Sequence, residues 1–316
     1  MAKSATDIDA SPAARSPVGL LRLYADLIKL RLSLLVVVTA GVGCIMASGP
    51  DVDWLLLLWT VAGTLACASA ANAINQVMET RRDRMMARTE HRPIPSGAMS
   101  PAHGWAVAMM LGYGGVMLLA VLVNFLAAGL ALLTLLIYVL AYTPLKPLST
   151  LNTLVGAVVG AIPPLIGWVA VRGTFDLGGW TLAAILFLWQ LPHFLSLAWM
   201  YRDQYLAAGF RMLPDTPEGE RAACEGTLLS TLLLIPLSLL VVSLRLAGVL
   251  YAACALLFGL WFAWKALRFF QARSNETAKA AFLASLLYLP LLLLVMVLDR
   301  EPQLVSVFIQ LEPVTP

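Results

Sequence analysis

Asn75, Glu79 and Asp83 stand four residues apart where a long apolar run gives way to polar sequence. In a helix, that spacing puts an amide and two carboxylates on one face, one turn after another. Three hard oxygen donors so arranged suit a divalent cation such as Mg²⁺. Arg81, Arg82, Arg84, Arg88 and Arg92 follow directly. Guanidinium groups beside a hard cation are the equipment for binding a diphosphate. A basic anchor on lipid headgroups would need the arginines alone. Acids that begin inside an oily segment are expensive to place and point to a site. Asp83, beyond the apolar run, is expected at a wet helix end.

Two other segments carry chemistry. Tyr142-Thr-Pro-Leu-Lys146-Pro147 lies between two apolar runs, and Lys146 is its only charge. The ammonium could snorkel from a helix end or act as a point charge on phosphate. In Phe187–Trp199, Gln190, His193 and Ser196 recur every three residues and read as a polar stripe on an apolar helix. A histidine within a membrane segment is a candidate functional group. Arg202 and Asp203 open the next polar stretch, and Asp203 is the candidate for a second metal position. Lys29, just before the first apolar run, joins Arg88, Arg92, Lys146 and Arg202 as a candidate diphosphate contact.

The elements that must position these residues are membrane helices. The chain of 316 residues is 60% hydrophobic and 12% charged, with a mean hydropathy of +0.83. A soluble protein carries about twice that share of charge. Apolar runs of about 18–23 residues match the hydrocarbon thickness. The sequence predicts nine spans, roughly 31–49, 54–76, 105–123, 126–143, 152–171, 179–200, 226–244, 246–267 and 280–298. Pro163-Pro164 is expected to break the fifth. Of the 21 Lys and Arg residues, all but Arg172, Arg245 and Arg300 fall on one side of this layout. The positive-inside rule puts that side, with the N-terminus, in the cytoplasm and the C-terminus outside.

The long loops, about 77–104 and 201–225, share that side and lie four spans apart. They suggest an all-α fold of two four-helix pseudo-repeats plus one helix around a central cavity. Residues 1–17 are expected to be a flexible cytoplasmic tail, 18–300 the membrane domain and 301–316 a short outer tail. Cys44, Cys67, Cys224 and Cys254 form no CxxC pair and read as buried free thiols.

On these residues the chain resembles the UbiA intramembrane prenyltransferases. Asn75, Glu79 and Asp83 match their NxxxDxxxD-type motif, with Glu79 where Asp is frequent. Met86-Ala-Arg88-Thr89-Glu-His-Arg92-Pro93, Pro163-Pro164-Leu-Ile-Gly167-Trp168, Trp189-Gln190-Leu-Pro192-His193-Phe194 and Ala208-Gly209-Phe-Arg-Met212-Leu213-Pro214 resemble the heme O synthase branch. Gln204 stands where that branch often has an acid, which leaves Asp203 alone. The resemblance implies a Mg²⁺-dependent transfer of farnesyl from farnesyl diphosphate to a vinyl group of heme B. Water addition then gives heme O. Asn75, Glu79, Asp83 and Asp203 would hold the metal, and His193 would contact heme iron, a propionate or a proton. It also implies a bacterial-type inner membrane, with heme A synthase or terminal oxidase assembly as candidate protein partners and no nucleic acid. A different aromatic acceptor and a secondary transporter are the alternative readings. A transporter would place its acids nearer the bilayer midplane.

The charge asymmetry has a direct test. A reporter active only in the cytoplasm should work when inserted near Ser96 and be silent when fused after Pro316. The reverse pattern would overturn the orientation.

Overall fold

The computed structural model describes residues 17–301. Among these, nine helices are long and apolar enough to cross a membrane, and the protein is an integral membrane protein. The helices are α1 Pro17–Leu27, α2 Leu30–Ala47, α3 Trp54–Met78, α4 Thr80–Asp83, α5 Pro101–Leu122 and α6 Phe125–Leu136. After a π-helical stretch, Ile137–Tyr142, come α7 Thr143–Leu145, α8 Asn152–Arg172, α9 Leu177–Met200, α10 Arg202–Ala207, α11 Pro217–Ser243, α12 Val249–Ala272 and α13 Asn275–Leu298. The expected terminal tails lie almost wholly outside the described residues. Helix α1, which already starts at Pro17, was not anticipated.

Several helices run past the apolar stretch that defines them. Helix α11 begins nine residues before the expected start at 226, because Thr216 caps it by accepting from the Gly219 amide. Glu218 and Glu220 in its first turn also suit the positive end of the helix dipole. Asn124 does the same for α6 through the Ala127 amide, and Asp176 for α9 through Gly178 and Gly179.

The packing repeats with a shift of four spans. Helix α3 packs on α5 as α9 packs on α11, and α2 on α3 as α8 on α9. Helix α5 meets α6 as α11 meets α12, and α6 meets α8 as α12 meets α13. At the end away from the charged loops, α13 closes the bundle. Asp299 accepts from the Tyr251 amide, while the Arg300 guanidinium donates to the Ile45 and Pro50 carbonyls.

Pro163 and Pro164 do not break α8, which is continuous from Asn152 to Arg172. Each proline removes one ladder donor. A membrane helix buried among neighbours tolerates that loss, and α9, α11 and α13 carry Pro192, Pro236 and Pro290 in the same way. The partner surface is α2. A Cβ on Gly43 would lie 2.0 Å from the Pro164 carbonyl oxygen, and one on Gly167 would lie 1.9 Å from the Ala40 carbonyl oxygen. The two backbones touch because both positions lack a side chain.

Gly43→Ala should therefore destabilise the bundle by about 1–3 kcal/mol through overpacking. Gly114→Ala, where a Cβ meets nothing within 4 Å, should be nearly silent. Thermal unfolding midpoints in detergent compare the two.

Candidate functional site

Helix α3 ends at Met78, and Glu79 sits at its C-cap with φ −94° and ψ 5°. The hydrogen-bond ladder nevertheless continues across the cap. The Glu79 amide donates to the Asn75 carbonyl at 2.9 Å, and the Asp83 amide to the Glu79 carbonyl at 2.8 Å. Asn75, Glu79 and Asp83 thus keep one face. All three are buried, with exposures of 1%, 5% and 1%. Asp83 is accordingly not at a wet helix end, because the 84–99 loop folds back over it. Thr89 Oγ1 donates to the Asp83 carbonyl, and Gly97 with φ +82° turns the chain there.

Each group on this face meets a cation. Lys29 Nζ donates to Asn75 Oδ1 at 2.7 Å. Lys146 Nζ lies 2.8 Å from Glu79 Oε1, and Arg92 Nη1 donates to Asp83 Oδ2 at 2.7 Å. Lysines at sequence distances of 46 and 67 residues and an arginine nine residues on are brought to one stripe. Lys29 reaches it from a left-handed residue with φ 48° that links α1 to α2. Burial, then the nearby Arg92 and Lys146 charges, lowers the Lys29 ammonium to about 7 against the pull of Glu79 and Asp83. For Lys146, burial works against the charge, but Tyr142, Glu79 and Tyr138 outweigh it and hold the ammonium above the ordinary lysine range.

The π-helical stretch sets the opposite wall. Its wider turn ends at Tyr142, whose ring lies under Lys146 with Nζ 4.6 Å from the centroid. Thr143 Oγ1 accepts from Asn75 Nδ2 at 3.3 Å. π-Helical turns recur at functional sites because they displace the side chains of one turn.

The second polar loop closes over this cluster. The Arg211 amide donates to the Lys146 carbonyl, and Asn152 Nδ2 donates to the Arg211 carbonyl. Phe210 is buried with Met86 and Ala208, and both Arg82 and Lys146 lie over its ring. Arg88 donates to the Tyr205 hydroxyl at 3.0 Å and stacks on the Tyr201 and Tyr205 rings.

Two residues expected at the metal and diphosphate site, Asp203 and Arg202, are not brought to the stripe, and His193, expected at the acceptor end, lies on α9 away from it. Asp203 is exposed, with Arg202 as its ion partner at 3.7 Å. Counted from the helix breaks after Met78 and Met200, Glu79 matches Tyr201 and Asp83 matches Tyr205. Asp203 therefore falls on the outer face of α10, about 160° away from Tyr205 at ~100° per residue. Arg202 turns to Glu220 and the Trp199 ring instead. His193 Nδ1 is 2.9 Å from Ser285 Oγ, and the ring packs on Trp189 and Phe282. It faces α13. Steps of three residues lag a helical turn by ~60°, so the supposed stripe winds round α9. Gln190 ends up against α8, donating to the Ala157 carbonyl. His193 is thus held between Ser285, Trp189 and Phe282 on the α13 side of α9.

Sequence reasoning missed Gln76, which is fully buried beside Asn75. Its amide donates to the Asp26 and Leu27 carbonyls and accepts from the Ile94 amide. It thereby ties α1 and the Pro93–Gly97 turn to α3. A second amide next to Asn75 inside an apolar run was the available signal.

Below the charged stripe lies an apolar chamber of about 200 Å³. Helices α2, α3, α6, α8 and α9 contribute Leu32, Asn72, Ala131, Gly156, Gln190 and Phe194 among its walls, and the π-helical stretch adds Tyr138 and Tyr142.

Among the described residues, no three His, Cys, Asp or Glu side chains converge as a metal site. The donor set is two carboxylates and an amide. Glu79 Oε1 is buried against the Lys146 ammonium in a 2.8 Å ion pair. Two buried carboxylates beside an amide oxygen are all hard donors, and such a set fits a hard divalent cation.

The ion pairs have a testable energetic signature. Lys146→Met should destabilise by about 3–5 kcal/mol, because it strands the buried Glu79 charge. Adding Glu79→Gln should recover most of that loss. Denaturant midpoints of the two variants in detergent decide it, and equal losses would mean that Glu79 and Lys146 are not coupled.

The helical bundle that holds this site has the fold of solved proteins. The fold is that of the solved digeranylgeranylglyceryl phosphate synthase, with a TM-score of 0.75 and 18% identity over 88% of this chain and 98% of that one. It is also that of a UbiA homolog from Archaeoglobus fulgidus bound to DMAPP and Mg²⁺, with a TM-score of 0.65 and 12% identity over 86% and 98%. A protoheme IX farnesyltransferase of Koribacter versatilis (strain Ellin345) is 40% identical over 89% of this chain and 94% of its own. Residues 36–289 match the UbiA prenyltransferase family, and the chain belongs to that family.

Proposed function

We propose that the protein transfers farnesyl from farnesyl diphosphate to a vinyl group of heme B, with addition of water, giving heme O and diphosphate. The observation that carries this reading is the buried Asn75/Glu79/Asp83 stripe, ringed by Lys29, Arg92 and Lys146, directly above a dry apolar chamber. The acceptor is supported by the relative in Koribacter versatilis. The orientation that puts the stripe at the cytoplasmic face of an inner membrane rests on the distribution of Lys and Arg.

Asn75, Glu79 and Asp83 would hold Mg²⁺. When bound, the metal supplies Lewis-acid neutralisation of the charge that develops on the leaving diphosphate. Lys29, Lys146, Arg88 and Arg92 would bind phosphate oxygens, exchanging their present carboxylate, amide and hydroxyl partners for the ligand. The bond between the farnesyl carbon and the diphosphate oxygen breaks, and its electron pair leaves with diphosphate. The resulting allylic cation is kept from water by the apolar walls. The Tyr138 and Tyr142 rings at the stripe end of the chamber offer it their π faces. The vinyl π pair of heme B forms the new carbon–carbon bond. Water captures the cation left beside the porphyrin and loses a proton.

The experiment is reconstitution of the purified protein with heme B, farnesyl diphosphate and Mg²⁺, read by mass spectrometry of extracted hemes. Heme O should form, vanish with EDTA and return with Mg²⁺. Asp83→Ala should lower turnover by on the order of a hundredfold or more, the scale of one lost transition-state contact of this kind. Absence of heme O from the wild-type protein would sink the assignment, and EDTA-insensitive turnover would sink the metal.

A further inference from the structure

The depth of the chamber can be read on separate helices. On α3 the lining runs from Asn72 to Thr64, and on α8 from Gly156 to Ile166. At ~1.5 Å per residue these are depths of roughly 12 and 15 Å. The lining of the fourth span ends at Ala131. Thr64, Ala131 and Ile166 are the lining residues furthest from the charged stripe on their helices and mark the floor of the chamber. Leu119, Ala127, Ala128 and Val169 are buried there in one core cluster with Ala131 and Ile166. The floor also carries a polar mark, since Thr64 Oγ1 is buried with no hydrogen-bond partner. Asn72, Tyr138 and Tyr142 line the end of the chamber beside the charged stripe.

We infer that Thr64, Ala131 and Ile166 are the length gauge of the prenyl donor. The inference rests on the farnesyl-transfer reading above. A donor held by its diphosphate at the Asn75/Glu79/Asp83 stripe sends its chain down the chamber. The depth is that of an extended chain of three isoprene units. A fourth unit would have to enter the volume of Leu119, Ala127, Ala128 and Val169, a close-packed interior that yields only at a cost. A chain of two units would leave the floor uncovered and lose the apolar contact that a full chain makes. Length selection is thus a matter of packing against three side chains, far from the reacting carbon.

The test sets geranyl, farnesyl and geranylgeranyl diphosphates in competition, with heme B as acceptor, and compares kcat/KM. Ala131→Leu raises the floor and should shift the geranyl-to-farnesyl ratio towards geranyl by on the order of tenfold, the discrimination that a methylene or two gives in an apolar pocket. Ile166→Ala lowers the floor and should shift preference towards geranylgeranyl. Because the second variant only removes atoms, it remains informative if the first fails to fold. Leu154→Ala, on the outer side of α8 with Leu154 45% exposed, should leave all ratios unchanged. Donor ratios within twofold of wild type in Ile166→Ala and in any folded Ala131→Leu would overturn the gauge while leaving farnesyl transfer intact. A wild-type protein that makes no farnesylated heme would overturn the transfer reading itself.

Discussion

The structure turns on placing two carboxylates in an oily bundle. Glu79 and Asp83 are as buried as the leucines around them, and an ionised carboxylate is tolerated at such depth only when paired. Lys146 and Arg92 supply the pairing, and Lys29 engages the neighbouring amide. The loops that carry or cover these cations are held by further polar contacts: Thr89 to the Asp83 backbone, Arg211 to the Lys146 backbone, and Gln76 to α1 and the Pro93–Gly97 turn. A site that binds a polyanion must keep its cations close without a ligand, and here the acids serve that purpose as well as offering ligand oxygens.

The rest of the bundle gives this cluster a fixed frame and a dry interior. Backbone contact between α2 and α8 through Gly43 and Gly167 brings the first and fifth spans together. The chamber forms between α2, α3, α6, α8 and α9. The clamp made by Asp299 and Arg300 ties α13 to the ends of α2 and the α11–α12 turn. The end opposite the charged loops is therefore locked, and the polar apparatus is confined to one end. The chamber runs between the two, with its reactive end at the charge and its floor against packed core.

Internal repetition explains both what matches between the two halves and what does not. The helices repeat their packing after four spans, including a helix break followed by a short helix. The side chains at matching positions diverged. Where the first half carries Glu79 and Asp83, the second carries Tyr201 and Tyr205, and these aromatic faces hold Arg88. One half supplies the acids and the other seats a cation from the adjoining loop.

The sequence by itself determined the class of fold, the number of spans, the Asn75/Glu79/Asp83 face and most of its cationic company. Hydropathy, four-residue spacing and charge type are local properties, and helices in lipid express them with little tertiary override. Tertiary structure decided the rest. Which cation meets which acid depends on lysines from distant spans. Asp203 looked like a second acid because its loop resembles the first, but a shift of two residues relative to the helix break turned it outwards. His193 and Gln190 looked like one stripe, but three-residue steps wind round the helix, and α13 and α8 claimed one each. Two prolines looked like a break, but a helix buried among neighbours tolerates the lost donors and stays continuous. Side-chain direction depends on where a helix starts and what it packs against, and neither is a property of its own residues alone.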